Sequence, residues 1–121
     1  MQQTEISSKV DSYKIGVGHM MDSMPAMVEA YHQFTAVCFG PGALDEKQKQ
    51  LIALGISLFA NNEVCTLYHV QEALASGASR QEIAETTAVA AAVGSGHTMS
   101  QGVTRVQQAL DALASETSYS Q

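Results

Sequence analysis

Cys65 and His69 stand four residues apart in the run Asn62-Glu63-Val64-Cys65-Thr66-Leu67-Tyr68-His69. On an α-helix this spacing puts both side chains on one face, one turn apart. Asn61-Asn62 interrupts the chain just before, so Cys65 falls in the first turn of a new helix. There the unpaired amides and the helix dipole favour a thiolate, and a neighbouring imidazole can accept the proton. The thiolate is the form of cysteine that attacks, which makes the pair a candidate activated sulfur. The same spacing also suits a buried cysteine and a histidine that is merely hydrogen-bonded.

Other reactive residue types are scarce. Cys38 is the second of two cysteines, too few for a disulfide framework, and both are expected to be reduced. Cys65 and His69 could supply two metal ligands, with His97 or Cys38 as a third, but neither Cys-x-x-Cys nor His-Glu-x-x-His is present. His97, between Gly96 and Thr98, suits either the same pocket or a simple place at a helix start. His19 and His32 belong to no pattern and are read as solvent-facing or packed, and Tyr68 as packing at the pocket edge. Met20, Met21, Met24 and Met27 cluster early. They suit core filling and a subunit contact better than a substrate-facing lid.

The elements that must position these residues are helices. Residues 1–14 are polar without sustained periodicity and are read as an arm, helical only against an oligomer partner; Gly16 and Gly18 loosen the adjoining stretch. Asp22-Ser23-Met24-Pro25 opens a helix, capped from Asp22 or Ser23, with Met27, Tyr31, Phe34 and Cys38 on one face. Gly40-Pro41-Gly42 stops it. Asp45 caps the next helix, whose stripe of Leu51, Leu54, Gly55 and Leu58, widened by Ile52, Ile56 and Phe59, suits a central position. A third runs from about Glu63 to Ser76, with Gly77 as a left-handed cap. Ser79-Arg80-Gln81-Glu82 is a capping box starting an Ala-rich fourth helix, which Gly94-Ser95-Gly96 is expected to break. Met99, Val103, Val106, Leu110 and Leu113 then form a bundle or coiled-coil seam, and residues 116–121 a frayed tail. No segment alternates like a strand.

The totals agree with a single helical domain over 1–121. Apolar residues make up 45%, with mean hydropathy of −0.01, which suits neither a disordered acidic chain nor a membrane protein. Six basic against twelve acidic residues argue against a nucleic-acid surface. The N-terminus has neither the basic start nor the apolar stretch of a signal peptide, which points to the cytoplasm.

Three stretches together resemble the carboxymuconolactone decarboxylase / alkylhydroperoxidase D-like family. The first is Leu44-Asp45-Glu46-Lys47 through Leu51-Ile52-Ala53-Leu54, and the second Asn61-Asn62-Glu63-Val64-Cys65 to His69. The third is His69-Val70-Gln71-Glu72-Ala73-Leu74-Ala75-Ser76-Gly77-Ala78-Ser79-Arg80-Gln81-Glu82-Ile83-Ala84-Glu85. The likeness runs from about Pro41 to Gly96, roughly half the chain. The order is specific in combination, though no single piece of it is.

The resemblance implies an all-α bundle of five or six helices, assembled as trimers or hexamers, with no cofactor and no metal. The redox branch of the family uses Cys-x-x-Cys-x-x-x-His with an upstream Glu. Cys65 matches the second cysteine and His69 the histidine; the first cysteine falls on Asn62 and the Glu on Gln50. With Asn62 in place Cys65 has no local resolving partner, so a sulfenic acid there would be reduced by an external thiol, or by Cys38 if it lies close. The function so implied is a one-cysteine, thiol-dependent peroxidase, a peroxiredoxin-like antioxidant. Two alternatives stay open: acid–base decarboxylase chemistry on a carboxylated lactone by His69, with His97 or Glu63, and a non-catalytic binding or assembly subunit.

Overall fold

Short polar side chains cap three of the helix starts in this protein, at Asp45, Asn62 and Ser79. The structure, a computed structural model, describes residues 1–114. Helix α1 spans Gln3–Ser23, α2 Pro25–Phe39, α3 Glu46–Phe59, α4 Glu63–Ala75 and α5 Arg80–Gln101. A π-helical segment, Gly102–Val106, links α5 to α6, Gln107–Ala114. There is no strand among the described residues. Asp45 and Gln48 form a reciprocal capping box at α3, the side chain of each accepting from the backbone of the other at 2.7 and 2.9 Å. Ser79 and Glu82 do the same at α5. Asn62 caps α4, its Oδ1 accepting from the Cys65 amide at 3.0 Å. Gly77, at φ 93°, closes α4 in the left-handed region, as its place after Ser76 suggests.

Helix α3 is central, packed against α4 on one side and α5 on the other, with α1 laid over α2 and α4. Leu54 and Ala73 are buried between α3 and α4, and Val10 and Val28 anchor α1 and α2. Lys9 and Glu63 form an ion pair at 2.9 Å between α1 and α4, and Lys47 and Glu82 another at 2.8 Å between α3 and α5. The Lys49 ammonium donates to the Gly40 carbonyl and ties the loop after α2 to α3. No helix among the described residues is long and apolar enough to cross a membrane.

Four expectations need correction. The arm is helix α1, for Ile6, Val10, Tyr13 and Val17 recur in steps of four, three and four, a stripe buried at Val10. The break before α2 is the single residue Met24, so Asp22 and Ser23 end α1 instead of capping α2. Gly94-Ser95-Gly96 does not interrupt α5. Two glycines cost a helix about 2 kcal/mol relative to alanine, which the rest of a 22-residue helix can absorb. The four methionines are exposed, so core filling does not describe them. The tail expected at 116–121 lies outside the described residues.

Candidate functional site

Helices α1, α2, α3 and α4 enclose a cavity of about 630 Å³. Cys65, Tyr68 and His69 reach it from α4, Gln50 from α3, Phe39, Thr35 and Tyr31 from α2, and Tyr13, Lys14 and Val17 from α1. The four-residue spacing therefore delivers Cys65 and His69 to one space, as helical geometry requires. Cys65 is the third residue of α4, within its electropositive first turn, and its side chain is partly buried. Asn62 supplies the cap that fixes this turn.

The His69 ring is held from three directions. Phe39 stacks on it, centroids 5.7 Å apart and planes 11° from parallel. Tyr68 approaches edge-on at 5.0 Å. Gln50 Oε1 lies 2.8 Å from Nδ1. A carboxamide oxygen only accepts, so Nδ1 carries the hydrogen and donates it. In the neutral ring this leaves the lone pair on Nε2. Burial holds the imidazole below its ordinary pKa, and Glu72 only partly offsets that effect. An uncharged partner at position 50 thus orients the ring without adding the negative charge that would favour its protonation. The arrangement is a neutral base with one free nitrogen, in a mostly aromatic surround.

Tyr13 and Tyr68 stay protonated. Burial raises Tyr13 above its ordinary pKa, with Tyr31 beside it and Cys65 within Coulombic reach. Burial likewise raises Tyr68, helped by Glu72. Both keep a hydroxyl hydrogen that can be donated into the cavity.

Other candidate residues lie elsewhere. His97 packs edge-on against Phe59, centroids 5.4 Å apart, away from His69. Glu63 is taken up by Lys9. Neither accompanies His69 as an acid–base partner. Cys38 is exposed and does not line the cavity, although Phe39 beside it does. Among the described residues no three His, Cys, Asp or Glu side chains converge as metal ligands. His32, by contrast, does line the cavity, as do Tyr13, Lys14 and Tyr31, none of which sequence pattern singles out for the site. The apolar stripe through Val10, Tyr13 and Val17 was the available signal for the α1 contribution.

Several known proteins share this arrangement of helices. The Carboxymuconolactone decarboxylase family is matched over residues 25–115. An uncharacterized protein of Cupriavidus necator is 25% identical over 93 residues, covering 77% of this chain and 82% of the relative. A crystal structure of a protein from Methanobacterium thermoautotrophicum superposes with a TM-score of 0.66 at 30% identity, covering 71% of this chain and 94% of that one. A carboxymuconolactone decarboxylase family protein from Legionella pneumophila shares the fold with a TM-score of 0.72 at 23% identity, over 82% of this chain and 88% of that one. With most of its length matched, the all-α chain built around α3 and α4 belongs to the carboxymuconolactone decarboxylase family.

Proposed function

We propose that the protein is a one-cysteine, thiol-dependent peroxidase in which Cys65 is the nucleophile and His69 its base. The observation that supports this most is the shared cavity: a cysteine in the first turn of α4 and a neutral, oriented imidazole open on the same space. His69 Nε2 takes the thiol proton, directly or through one water. The thiolate attacks one peroxide oxygen; the S–O bond forms as the O–O bond breaks. The leaving alkoxide takes a proton from the imidazolium, giving an alcohol and a Cys65 sulfenic acid. An external thiol then condenses with the sulfenic acid, releasing water, and a second thiol equivalent frees Cys65 as a disulfide leaves. Cys38 is on the outside of α2, which favours an external reductant. Such a cycle belongs in a reducing compartment, the cytoplasm.

Cumene hydroperoxide followed by dimedone trapping and mass spectrometry tests this reading. Cys65 should label at least tenfold faster than Cys38. Equal, slow labelling at both sites would end it.

A second reading has its own support: His69 makes its polar contact with Gln50, and no hydrogen bond joins it to the Cys65 sulfur among the described residues. In that case the imidazole works alone, moving a proton on a carboxylated lactone or similar acid. Turnover of such a compound would survive Cys65→Ser and vanish in His69→Ala. A Cys65 inert at every pH, with no such turnover, would leave a binding or assembly role.

We also propose that the protein assembles with copies of itself, as trimers or hexamers. Ile52, Ile56 and Phe59 of α3 and Val89 and Val93 of α5 are each more than half exposed in the protomer, and so is the seam from Met99 to Leu113. A contiguous apolar surface of this kind marks an interface.

A further inference from the structure

We infer that Lys14 makes the Cys65 cavity selective for small amphipathic anions, binding a carboxylate while the apolar or aromatic body lies against Tyr13, Tyr31 and Tyr68. The inference rests on Cys65 being the reactive sulfur and adds the class of molecule it meets, an organic hydroperoxide that carries a carboxylate.

Among the described residues, Lys14 is the one lining side chain with a fixed positive charge at neutral pH, and no Asp or Glu lines the cavity. Its Nζ lies 5.4 Å from the Tyr68 ring centroid, so it faces the ring next to His69. Glu63 is paired with Lys9 at 2.9 Å, and Glu72, whose charge reaches Tyr68 and His69, makes no ion pair with Lys14. Among the described residues Lys14 forms no ion pair. The chain as a whole carries a formal charge of −6, a field that repels anions at long range. The Lys14 ammonium at the cavity wall opposes that field at short range. The remaining lining is mainly aromatic and aliphatic, and the volume falls in the range of small-molecule sites, about 300–1,000 Å³. Lys14 belongs to α1, Gln3–Ser23, which precedes the family match beginning at residue 25. The charge is thus supplied by an element outside the matched segment, which fits specificity better than shared chemistry.

The test compares two alkylating agents of similar size and opposite character, anionic iodoacetate and neutral iodoacetamide. Both react with the same Cys65 thiolate, so their rate ratio cancels any change in its ionisation. Measured by mass spectrometry on the full chain with Cys38→Ser, the iodoacetate-to-iodoacetamide ratio should fall roughly three- to tenfold in Lys14→Met, as expected for one charge near the surface. Lys14→Arg should keep the ratio, and high salt should narrow the gap between the wild type and Lys14→Met. Arg105→Met, which removes a positive charge outside the cavity, should leave the ratio unchanged. An unchanged ratio in Lys14→Met, or an equal fall in Arg105→Met, overturns the inference. Lys14 is exposed, so its replacement leaves the fold in place. The absolute rate of Cys65 and its pH profile report separately on the peroxidase reading, so the two failures are told apart.

Discussion

Two hollows of about the same volume, 630 Å³ each, lie along α3. The first, between α3 and α5, is lined by Leu51, Ile52, Ile56, Phe59, Val89 and Val93, with Glu82 and Glu85 at its rim. The second, between α3 and the layer of α1, α2 and α4, holds Cys65, His69, Gln50, three tyrosines and Lys14. Successive residues of one helix serve both: Gln50 faces the chemistry, while Leu51 and Ile52 face the groove. Volume assigns neither role. The groove offers neither a thiol nor an imidazole; beside Glu82, Glu85 and Thr86 it is mainly apolar surface, whose removal from water is favourable by about 25 cal/mol per Å². The cavity offers a thiol, an oriented imidazole and a cation. The proposed substrate therefore belongs to the second hollow, and the proposed contact with another copy of the chain to the first.

The largest effect expected from this contrast is on assembly. Ile56 is 65% exposed at the groove, so Ile56→Asp leaves the protomer's own packing intact but sets a charge in the proposed interface. Burying an unpaired carboxylate costs several kcal/mol. Light scattering should show the particle falling toward protomer mass, while Cys65 alkylation changes by less than about threefold, since the cavity is untouched. An unchanged mass would show that the groove is not the seam. A collapse of Cys65 reactivity would show that the two hollows are one functional unit completed by the neighbour.

A smaller effect is expected on the cavity side, at Gln50. Gln50→Leu leaves the Nδ1 hydrogen of a partly buried ring without an acceptor, a cost of about 1–3 kcal/mol that frees the other tautomer. Peroxide-driven oxidation of Cys65 should slow by roughly tenfold, one pKa unit's worth of free energy. Gln50→Glu acts in the opposite electrostatic sense. A carboxylate at Nδ1 favours the imidazolium, so the His69 pKa should move from below its ordinary value to above it. Ring-proton NMR titration reads this directly. The sign carries into stability. In the wild type the depressed folded-state pKa gives a contribution present above about 6.5 that is lost as pH falls through the folded value. In Gln50→Glu the contribution is present below about 6.5 and is lost as pH rises through the raised value. No movement of the His69 titration in Gln50→Glu would mean that the Gln50 contact does not exist in solution.

Legibility in the sequence followed the range of the interactions. The caps at Asp45, Ser79 and Gly77 depend on residues within four positions and could be read from local pattern alone. The convergence of Cys65 and His69 is one helical turn and was equally visible. Gln50 lies 19 residues from His69, so only the family resemblance put it in the site; its hydrogen bond to Nδ1 is a tertiary fact. The same limit hid His32, Tyr31 and Lys14, which enter the cavity because α1 and α2 fold over α4. His97 misled for the converse reason. It sits near a glycine pair that reads as a helix break, but α5 runs through and carries the ring to Phe59.

The smallest predicted effect tests whether α1 is the docked wall on which the Lys14 inference depends. Gly16 lies inside α1, and an added Cβ there meets nothing within 4 Å. Gly16→Ala should therefore stabilise the protein by about 0.5–1 kcal/mol through helix propensity alone. For a domain of this size that is a rise of roughly 2–6 °C in the midpoint of a thermal melt followed by circular dichroism. The gain appears only if α1 melts with the rest of the bundle. An undocked arm would gain some helicity without moving the cooperative transition. A fixed midpoint with intact Cys65 reactivity would therefore detach α1 from the cavity, and with it Tyr13, Val17 and Lys14. A raised midpoint makes these side chains part of the same folding unit as Cys65, which is the condition for a charge on α1 to select what reaches a sulfur on α4.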